Sequence, residues 1–280
     1  MPTGDIKRIV ILTLDSFYSN GAVSKLIDHY GDRISLIVLS QRYGGKHGTF
    51  IHQLIKNFKN SGFRFVIYLS YHLITYHIFN YLFIIINLML FRKSKIFPIK
   101  KLAKRYGIPV LKTHDINSDS VEEEIKRVNP DLLVASYFDQ IIKRKVYNIP
   151  SRGTINIHPG LLPLNKGVFP PLAAVVHNHP QGVTVHYIND FLDEGEIIKE
   201  KTAELKKGES ILIFDNRVMK EGAELVIKVI GDMEKNICSS TPQEHGAGNY
   251  YSFPTKPDIQ RVSSARTRLF SFLGYIKTYL

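Results

Sequence analysis

The chain is short of cysteine, short of acid, and without the common nucleotide- and metal-binding signatures. Cys238 is the one cysteine among 280 residues. That excludes an intrachain disulfide framework and a Cys-cluster zinc site, and it suits a reducing compartment. No P-loop and no GxGxxG follows the first apolar run, so triphosphate or dinucleotide binding has no motif behind it. HExxH, EF-hand and GxSxG patterns are missing too, which removes the commonest α/β-hydrolase signature among others. The opening MPTGDIKRIVILTLD has too short an apolar run and the wrong flanks for a signal peptide. The expectation is a cytoplasmic protein.

Acid is scarce relative to base: 25 Asp+Glu against 37 Lys+Arg, a net +12 with histidine neutral. Such a surplus favours anionic partners, whether nucleic acid, a membrane surface or a phosphorylated substrate. Otherwise the composition is that of a globular chain, 44% hydrophobic and 22% charged. Its length allows one large domain or two small ones with a sizeable core.

The charge is unevenly spread. Seven basic residues and no acidic one lie between Arg92 and Arg105: Arg92, Lys93, Lys95, Lys100, Lys101, Lys104 and Arg105. Immediately before them, Phe65 to Phe91 runs for 27 residues with no formal charge beyond protonation of His72 and His77. As a helix it would reach roughly 40 Å, enough to cross a bilayer. Its composition is less apolar than a span requires. Tyr68, Ser70, Tyr71, His72, Thr75, Tyr76, His77, Asn80, Tyr81 and Asn87 interrupt it, and only Tyr81 to Phe91 is densely apolar. Three readings stand: a buried or homodimer-forming helical pair, an anionic-membrane surface element over 63–105, or a true span.

The remainder alternates between strand and helix. Arg8–Leu14, Ile34–Ser40, Ile108–Leu111, Asp131–Ser136 and Gly153–Ile157 read as buried strands, with a helical stretch near Gly21–Tyr30. A second helix runs through VEEEIKRV, capped by Asn117 or Ser118 with its acids in the first turn. Gly182–Ile188 and Glu196–Leu205 add strands, and Gly208–Asn236 reads as a long helix. This alternation predicts an α/β fold with an open, mostly parallel twisted sheet and ligands beyond the strands' carboxyl ends. An apolar helical insert over about 50–105 and a C-terminal tail complete it. The division expected is a catalytic domain, 1–236, and a tail, 237–280, packed on it.

The chemistry concentrates between Ile155 and Glu200. A strand ends in Asn156-Ile157-His158 and runs into Pro159-Gly160; alternation puts Asn156 and His158 on one side, opposite Ile157. Proline disfavours helix at the preceding residue and holds the imidazole at the strand's edge. Leu161 to Pro171 carries Pro163, Gly167, Pro170 and Pro171 and reads as a stiff turn. FLDEGE then sets Asp193 and Glu194 in an acidic turn closed by Gly195. Asn, His and Asp converging at a strand edge supply a donor, a tunable acid/base and a carboxylate to orient it. His177 and His179 have metal-ligand spacing, but without a Cys or carboxylate partner they read as loop residues.

Together these segments resemble the folate-dependent formyltransferases, a family that includes the methionyl-tRNA, glycinamide ribonucleotide and sugar-amine N-formyltransferases. The resemblance is carried by Asn156-Ile157-His158-Pro159, Leu161-Leu162-Pro163, Gly167, Gly182-Val183-Thr184-Val185-His186, and Leu192-Asp193 with Gly195. It covers about Asp131 to Leu205 and implies a Rossmann-like formyltransferase fold. It also implies transfer of a formyl group from N10-formyltetrahydrofolate, as co-substrate, to a primary amine, with no metal. Asn156, His158 and Asp193 would be the catalytic trio. Asn156 and a protonated His158 would donate to the oxyanion, and Asp193 would hold His158 and help remove the amine proton, through water. The pterin pocket would draw on Tyr137, Phe138, Gln140 and Ile141 after the fourth strand, and on Asn189, Asp190 and Gly195. Pro163, Lys166, Gly167 and His186 would face the acceptor.

For the acceptor, the expectation is an amino-sugar nucleotide or another small or lipid-linked amine, its phosphates meeting Lys166, Arg42 and Lys46. Lys166-Gly167 stands where the tRNA-specific branch typically has an arginine before the glycine, and Pro159-Gly160 where a serine often follows. Only 44 residues follow Asn236, too few for the C-terminal barrel that helps hold tRNA. Formylation of methionyl-tRNA, hydrolysis of formyltetrahydrofolate and an inactive membrane- or partner-binding module remain as alternatives.

Overall fold

Apolar runs become strands, and the polar turns between them feed helices. The computed structural model describes residues 4–41, 50–89, 97–265 and 267–279. Arg42, Lys46, Arg92, Lys93 and Lys95 lie outside the described residues. The first half runs β1 (Ile9–Thr13), α1 (Phe17–Tyr30), β2 (Ile34–Ser40), α2 (Phe50–Ser61) and α3 (Phe63–Ser70). A π-helical turn, Tyr71–Thr75, joins α3 to α4 (Tyr76–Met89), which is followed by α5 (Ile99–Arg105), β3 (Val110–Thr113), α6 (Asp119–Val128) and β4 (Leu132–Ser136). Next come α7 (Arg144–Tyr147), β5 (Thr154–His158), β6 (Lys166–Gly167), α8 (Pro170–His177), β7 (Gly182–Tyr187) and β8 (Ile197–Thr202). The chain continues through α9 (Ile211–Glu234), β9 (Tyr250–Tyr251), α10 (Lys256–Ser264) and α11 (Phe272–Lys277).

Seven strands form one sheet in the order β3-β2-β1-β4-β5-β7-β8. The pairings from β3 through β5 are parallel, while β5–β7 and β7–β8 are antiparallel. The mostly parallel α/β architecture expected from the alternation is therefore present. From β1 the chain builds outward through β2 and β3, then returns to place β4 on the other side of β1. That reversal is a topological switch point, where open α/β sheets hold ligands beyond the strand ends.

Strand alternation divides the core in two. Ile9, Ile11, Leu132, Val134, Ile155 and Ile157 pack with α1 and α9 on one face. Val10, Leu12, Leu133 and Ala135 pack with Val121 and Ile125 of α6 and Val146 of α7 on the other. The third strand begins two residues later than Ile108, which packs into the first core instead. Ser118 takes the N-cap position of α6 with extended backbone but makes no capping side-chain bond. Asn117 instead ties Ile141 O and Lys143 N to the helix start.

The insert is anchored along one edge. Phe65, Tyr68 and Tyr76 are fully buried, and Tyr76 Oη donates to Asp15 Oδ1 at 2.9 Å while accepting from Asn20 Nδ2 at 2.7 Å. Burial raises the Asp15 carboxyl above its ordinary range, partly offset by His77 and the Tyr76 hydroxyl. Tyr275 of α11 packs on Phe17, Tyr71 and Phe79, so the chain's end closes over this edge.

Helix α9 comes close to the sheet at Gly222, where a Cβ would lie 2.3 Å from Ile157 Cγ2 and 2.9 Å from Val183 Cγ2. Both neighbours are β-branched, buried and stiff. Gly222→Ala is expected to lower stability by about 1–3 kcal/mol through overpacking, despite alanine's better helix propensity; urea unfolding checks it.

Candidate active site

β5 delivers Asn156 and His158 to the sheet's carboxyl edge, and antiparallel pairing with β7 sets Asn156 opposite His186 and His158 opposite Thr184. The loop beyond His158 is pinned by Thr184, whose hydroxyl donates to Gly160 O at 2.8 Å and accepts from Leu162 N at 3.3 Å. His158 is almost fully enclosed, at 3% exposure. Its Nε2 lies 2.7 Å from Asn165 O. A carbonyl only accepts, so Nε2 carries a proton. Nδ1 faces Asp193 Oδ1 at 3.5 Å. A neutral ring would turn a lone pair toward the carboxylate, so the facing pair needs one proton between them. Asp193 Oδ2 accepts from Gly167 N at 2.8 Å, which locks the carboxylate plane.

His186 plays a different part. Its Nδ1 lies 2.8 Å from Tyr187 O, so the proton is assigned there. Nε2 then offers a lone pair to Asn156 Nδ2 at 3.1 Å. Burial pushes this imidazole down to about 4, against the pull of Asp193, and the ring is neutral at pH 7. The tautomer in turn orients Asn156, leaving one amide N–H and the amide oxygen for other partners. Ligand atoms of His158, His186 and Asp193 lie within 4.8 Å of one another, a spacing a metal could also use. The His186 Nε2 lone pair that a metal would need is taken by Asn156, and Asp193 Oδ1 lies 3.8 Å from that nitrogen and 3.5 Å from His158 Nδ1.

The expected acceptor-side residues divide. Gly167 has φ 103°, and a Cβ there would lie 2.2 Å from Tyr251 O; only glycine lets the tail cross so close to the Asp193 contact. Pro163 braces the same tail, its carbonyl 1.9 Å from where a Cβ on Gly248 would sit. Lys166 is a correction. Its side chain is buried and its Nζ is 2.7 Å from Glu194 Oε1, so its charge is used internally and does not face a phosphate. His186 is turned toward Asn156 and supports its amide.

The expected pterin residues are also only partly available. Gln140 is a correction: its amide accepts from Ile116 N at 2.7 Å and donates to Ser40 Oγ at 2.8 Å, bracketing the strand ends. Tyr137 has φ 52° and turns its ring onto Tyr18 and His72. Phe138 packs against the second core and Ile141 is exposed. Asn189 holds the acidic turn through Glu194 O and Phe191 N, and Asp190 pairs with Arg144 and Tyr147 Oη. Gly195 is required by the chain path, a Cβ there falling 1.7 Å from Tyr187 O.

Several contributors went unseen in the sequence. Asn165 is fully buried; its side chain accepts from His179 Nδ1 at 3.0 Å and donates to Pro180 O at 3.2 Å, which steadies the carbonyl that meets His158. Gln243 of the tail donates to Asp193 O and Gly195 O. Backbone-directed contacts of this kind leave no residue pattern. His177 stacks on Tyr251 at 4.3 Å, so the His177/His179 pair serves loop packing, as its sequence context suggested.

The formyl transferase family model matches residues 90–230, half of the chain, and the chain belongs to that family. Methionyl-tRNA formyltransferase of Alkaliphilus oremlandii is 31% identical over 173 residues, 61% of this chain and 56% of that protein. The Syntrophus aciditrophicus protein of the same name is 32% identical over 162 residues, 58% and 52% respectively. The chain thus spans about half the length of the curated relatives it matches. Among solved structures, a 4-N formyltransferase from Francisella tularensis aligns with TM-score 0.54 at 20% identity, covering 89% of this chain and 77% of that one. Glycinamide ribonucleotide transformylase 1 from Symbiobacterium toebii aligns with TM-score 0.53 at 16% identity, covering 82% and 89%. These two share the fold.

Glu194 links site and tail. Lys166 Nζ, with help from His245 and Gly246 N, holds its carboxyl down to about 2 from an ordinary 4.5. A depressed carboxyl stabilises the fold above its unfolded value and loses that contribution as pH falls through its folded one. Glu194→Gln is therefore expected to unfold at a lower temperature than wild type at pH 7, with the gap closing between about pH 4.5 and 2. Thermal melts of both proteins across that range check this.

Proposed function

We propose that the protein transfers a formyl group from N10-formyltetrahydrofolate to the primary amine of a small acceptor, an amino-sugar nucleotide being preferred. The observation that carries the reading is the cluster of Asn156, His186, Asp193 and His158, whose polar atoms gather at the sheet's carboxyl edge. A neutral amine attacks the formyl carbon; its new C–N bond forms as charge collects on the formyl oxygen. Two donors serve that oxyanion: the second N–H of Asn156, and the proton at His158 Nδ1, which turns from Asp193 Oδ1 to the developing charge and so frees that oxygen. The contact of His158 Nε2 with Asn165 O holds the ring while Nδ1 works. Asp193 Oδ1, its other oxygen fixed by Gly167, receives the amine proton directly or through a water. As the intermediate collapses, the bond from the formyl carbon to N10 breaks and N10 takes, directly or through water, the proton that Asp193 received from the amine. The products are the formamide and tetrahydrofolate.

Enclosure supports a small acceptor. His158 and His186 are buried, and the tail braces both loops that carry Asp193 and Gly167. Formylation of methionyl-tRNA is a second reading, favoured by the names of the sequence relatives. Incubation with N10-formyltetrahydrofolate and a panel of nucleotide amino sugars, charged initiator tRNA and glycinamide ribonucleotide, read by mass, separates them. A formyl adduct on a nucleotide amino sugar is the expected result. An adduct on tRNA alone would establish the second reading, and formate release without an acceptor would show a hydrolase.

Asn156→Ala and His158→Ala are each expected to cut turnover by about 10²–10³, the usual cost of losing one oxyanion donor. Circular dichroism should show the fold retained. Normal turnover in either variant would refute the site assignment.

A further inference from the structure

We propose that the helical insert is a docking platform that seats the protein on an anionic lipid surface, an inference independent of the formyl-transfer reading. The first observation is an apolar stripe facing solvent. Ile74, Ile78, Tyr81, Leu82, Ile85 and Leu88 recur at helical spacing along the π-turn and α4 and are all exposed, Ile78 at 58% and Leu88 at 75%. On α2, Ile51, Leu54, Ile55 and Phe58 repeat the pattern, again on the outside. Soluble surfaces rarely keep apolar residues contiguous on this scale unless something covers them.

The second observation is charge. Between Asp32 and Asp115 the sequence holds 14 Lys and Arg and no acidic residue, leaving 23 basic against 25 acidic elsewhere. The whole net charge of the protein therefore belongs to this segment. Beside the stripe, α5 exposes Lys100, Lys101, Lys104 and Arg105, and Lys101 Nζ sits 4.8 Å from the centre of the Tyr81 ring. Among the described residues these four cations have no carboxylate partner.

Charge and apolarity together select the occupant. A second copy docked face to face would bring two acid-free basic segments together with nothing to compensate them. A nucleic acid would meet the cations but leave the aliphatic stripe in water. An anionic bilayer satisfies both, taking apolar side chains at the headgroup boundary while the lysines meet phosphates. Phe63–Met89 is long and apolar enough to span, at 27 residues. Its other edge, however, is held in the protein by Phe65, Tyr68, Tyr76 and the Tyr76–Asp15 bond. The helix therefore lies along the surface.

Co-sedimentation of the full chain with vesicles tests this. Wild type is expected to pellet with phosphatidylglycerol-containing vesicles and to stay in solution with pure phosphatidylcholine. Lys100→Glu/Lys104→Glu and Ile78→Glu/Ile85→Glu should each reduce the bound fraction by about tenfold or more. All substituted positions are exposed, and unchanged melting temperatures and formyl transfer in solution would exclude misfolding. Failure of wild type to pellet with anionic vesicles would overturn the proposal, as would pelleting that neither variant reduces. Two further results would also overturn it: a dimer in light scattering that Ile78→Glu/Ile85→Glu dissociates without any lipid binding, and RNA retention insensitive to the apolar substitutions without lipid binding.

Discussion

The contact between His158 Nδ1 and Asp193 Oδ1 is what the rest of the site is built to hold. An imidazole whose other nitrogen already donates to a carbonyl can face a carboxylate only with a proton between them. Removing Asp193 would leave the buried Nδ1 of His158 uncompensated, a cost of order 1–3 kcal/mol. The surrounding bonds all act on this one geometry. Gly167 fixes the second carboxylate oxygen, Asn165 fixes the far side of the ring, and Thr184 pins the loop between them.

That geometry depends on segments far apart in the chain. The tail reaches back through Gln243, His245 and β9, while buried Lys166 and partly buried Glu194 form a charged pair between the two loops. A buried pair adds little net stability by itself, but it penalises any arrangement that separates its members. Here it sets the distance between the turn that carries Asp193 and the strand that carries Gly167. The cost is that Lys166 has no charge left for a ligand. The surplus basic residues of the chain concentrate instead in the acid-free segment of the insert.

Much of the fold was legible because strand alternation and the apolar runs are local signals. β1, β2, β4 and β5 fall within a residue or two of the runs that announced them, and VEEEIKRV forms α6. A proline after His158 and a glycine after Glu194 marked the strand edge and the acidic turn, while the choice of Asn156, His158 and Asp193 as a trio rested on the resemblance to the formyltransferases. Gln140 and Lys166 were misread for one reason: an amide or ammonium in a loop has the same sequence appearance whether it faces a ligand or a buried partner. His186 was ambiguous in sequence and acquires its part only from the register of β5 with β7.

The sequence by itself determined the α/β class, the residues at the strand edge, and an insert whose charge and apolarity are both extreme. Those properties follow from local propensity, period-two alternation and composition. Tertiary structure decided which nitrogen of His158 and of His186 carries its proton, which cations are already paired, and which side of the insert is left in water. Each of these depends on a partner remote in sequence, such as Asn165 for His158, Glu194 for Lys166 and Asp15 for Tyr76. Burial and pairing are properties of neighbours, and neighbours exist only once the chain has folded.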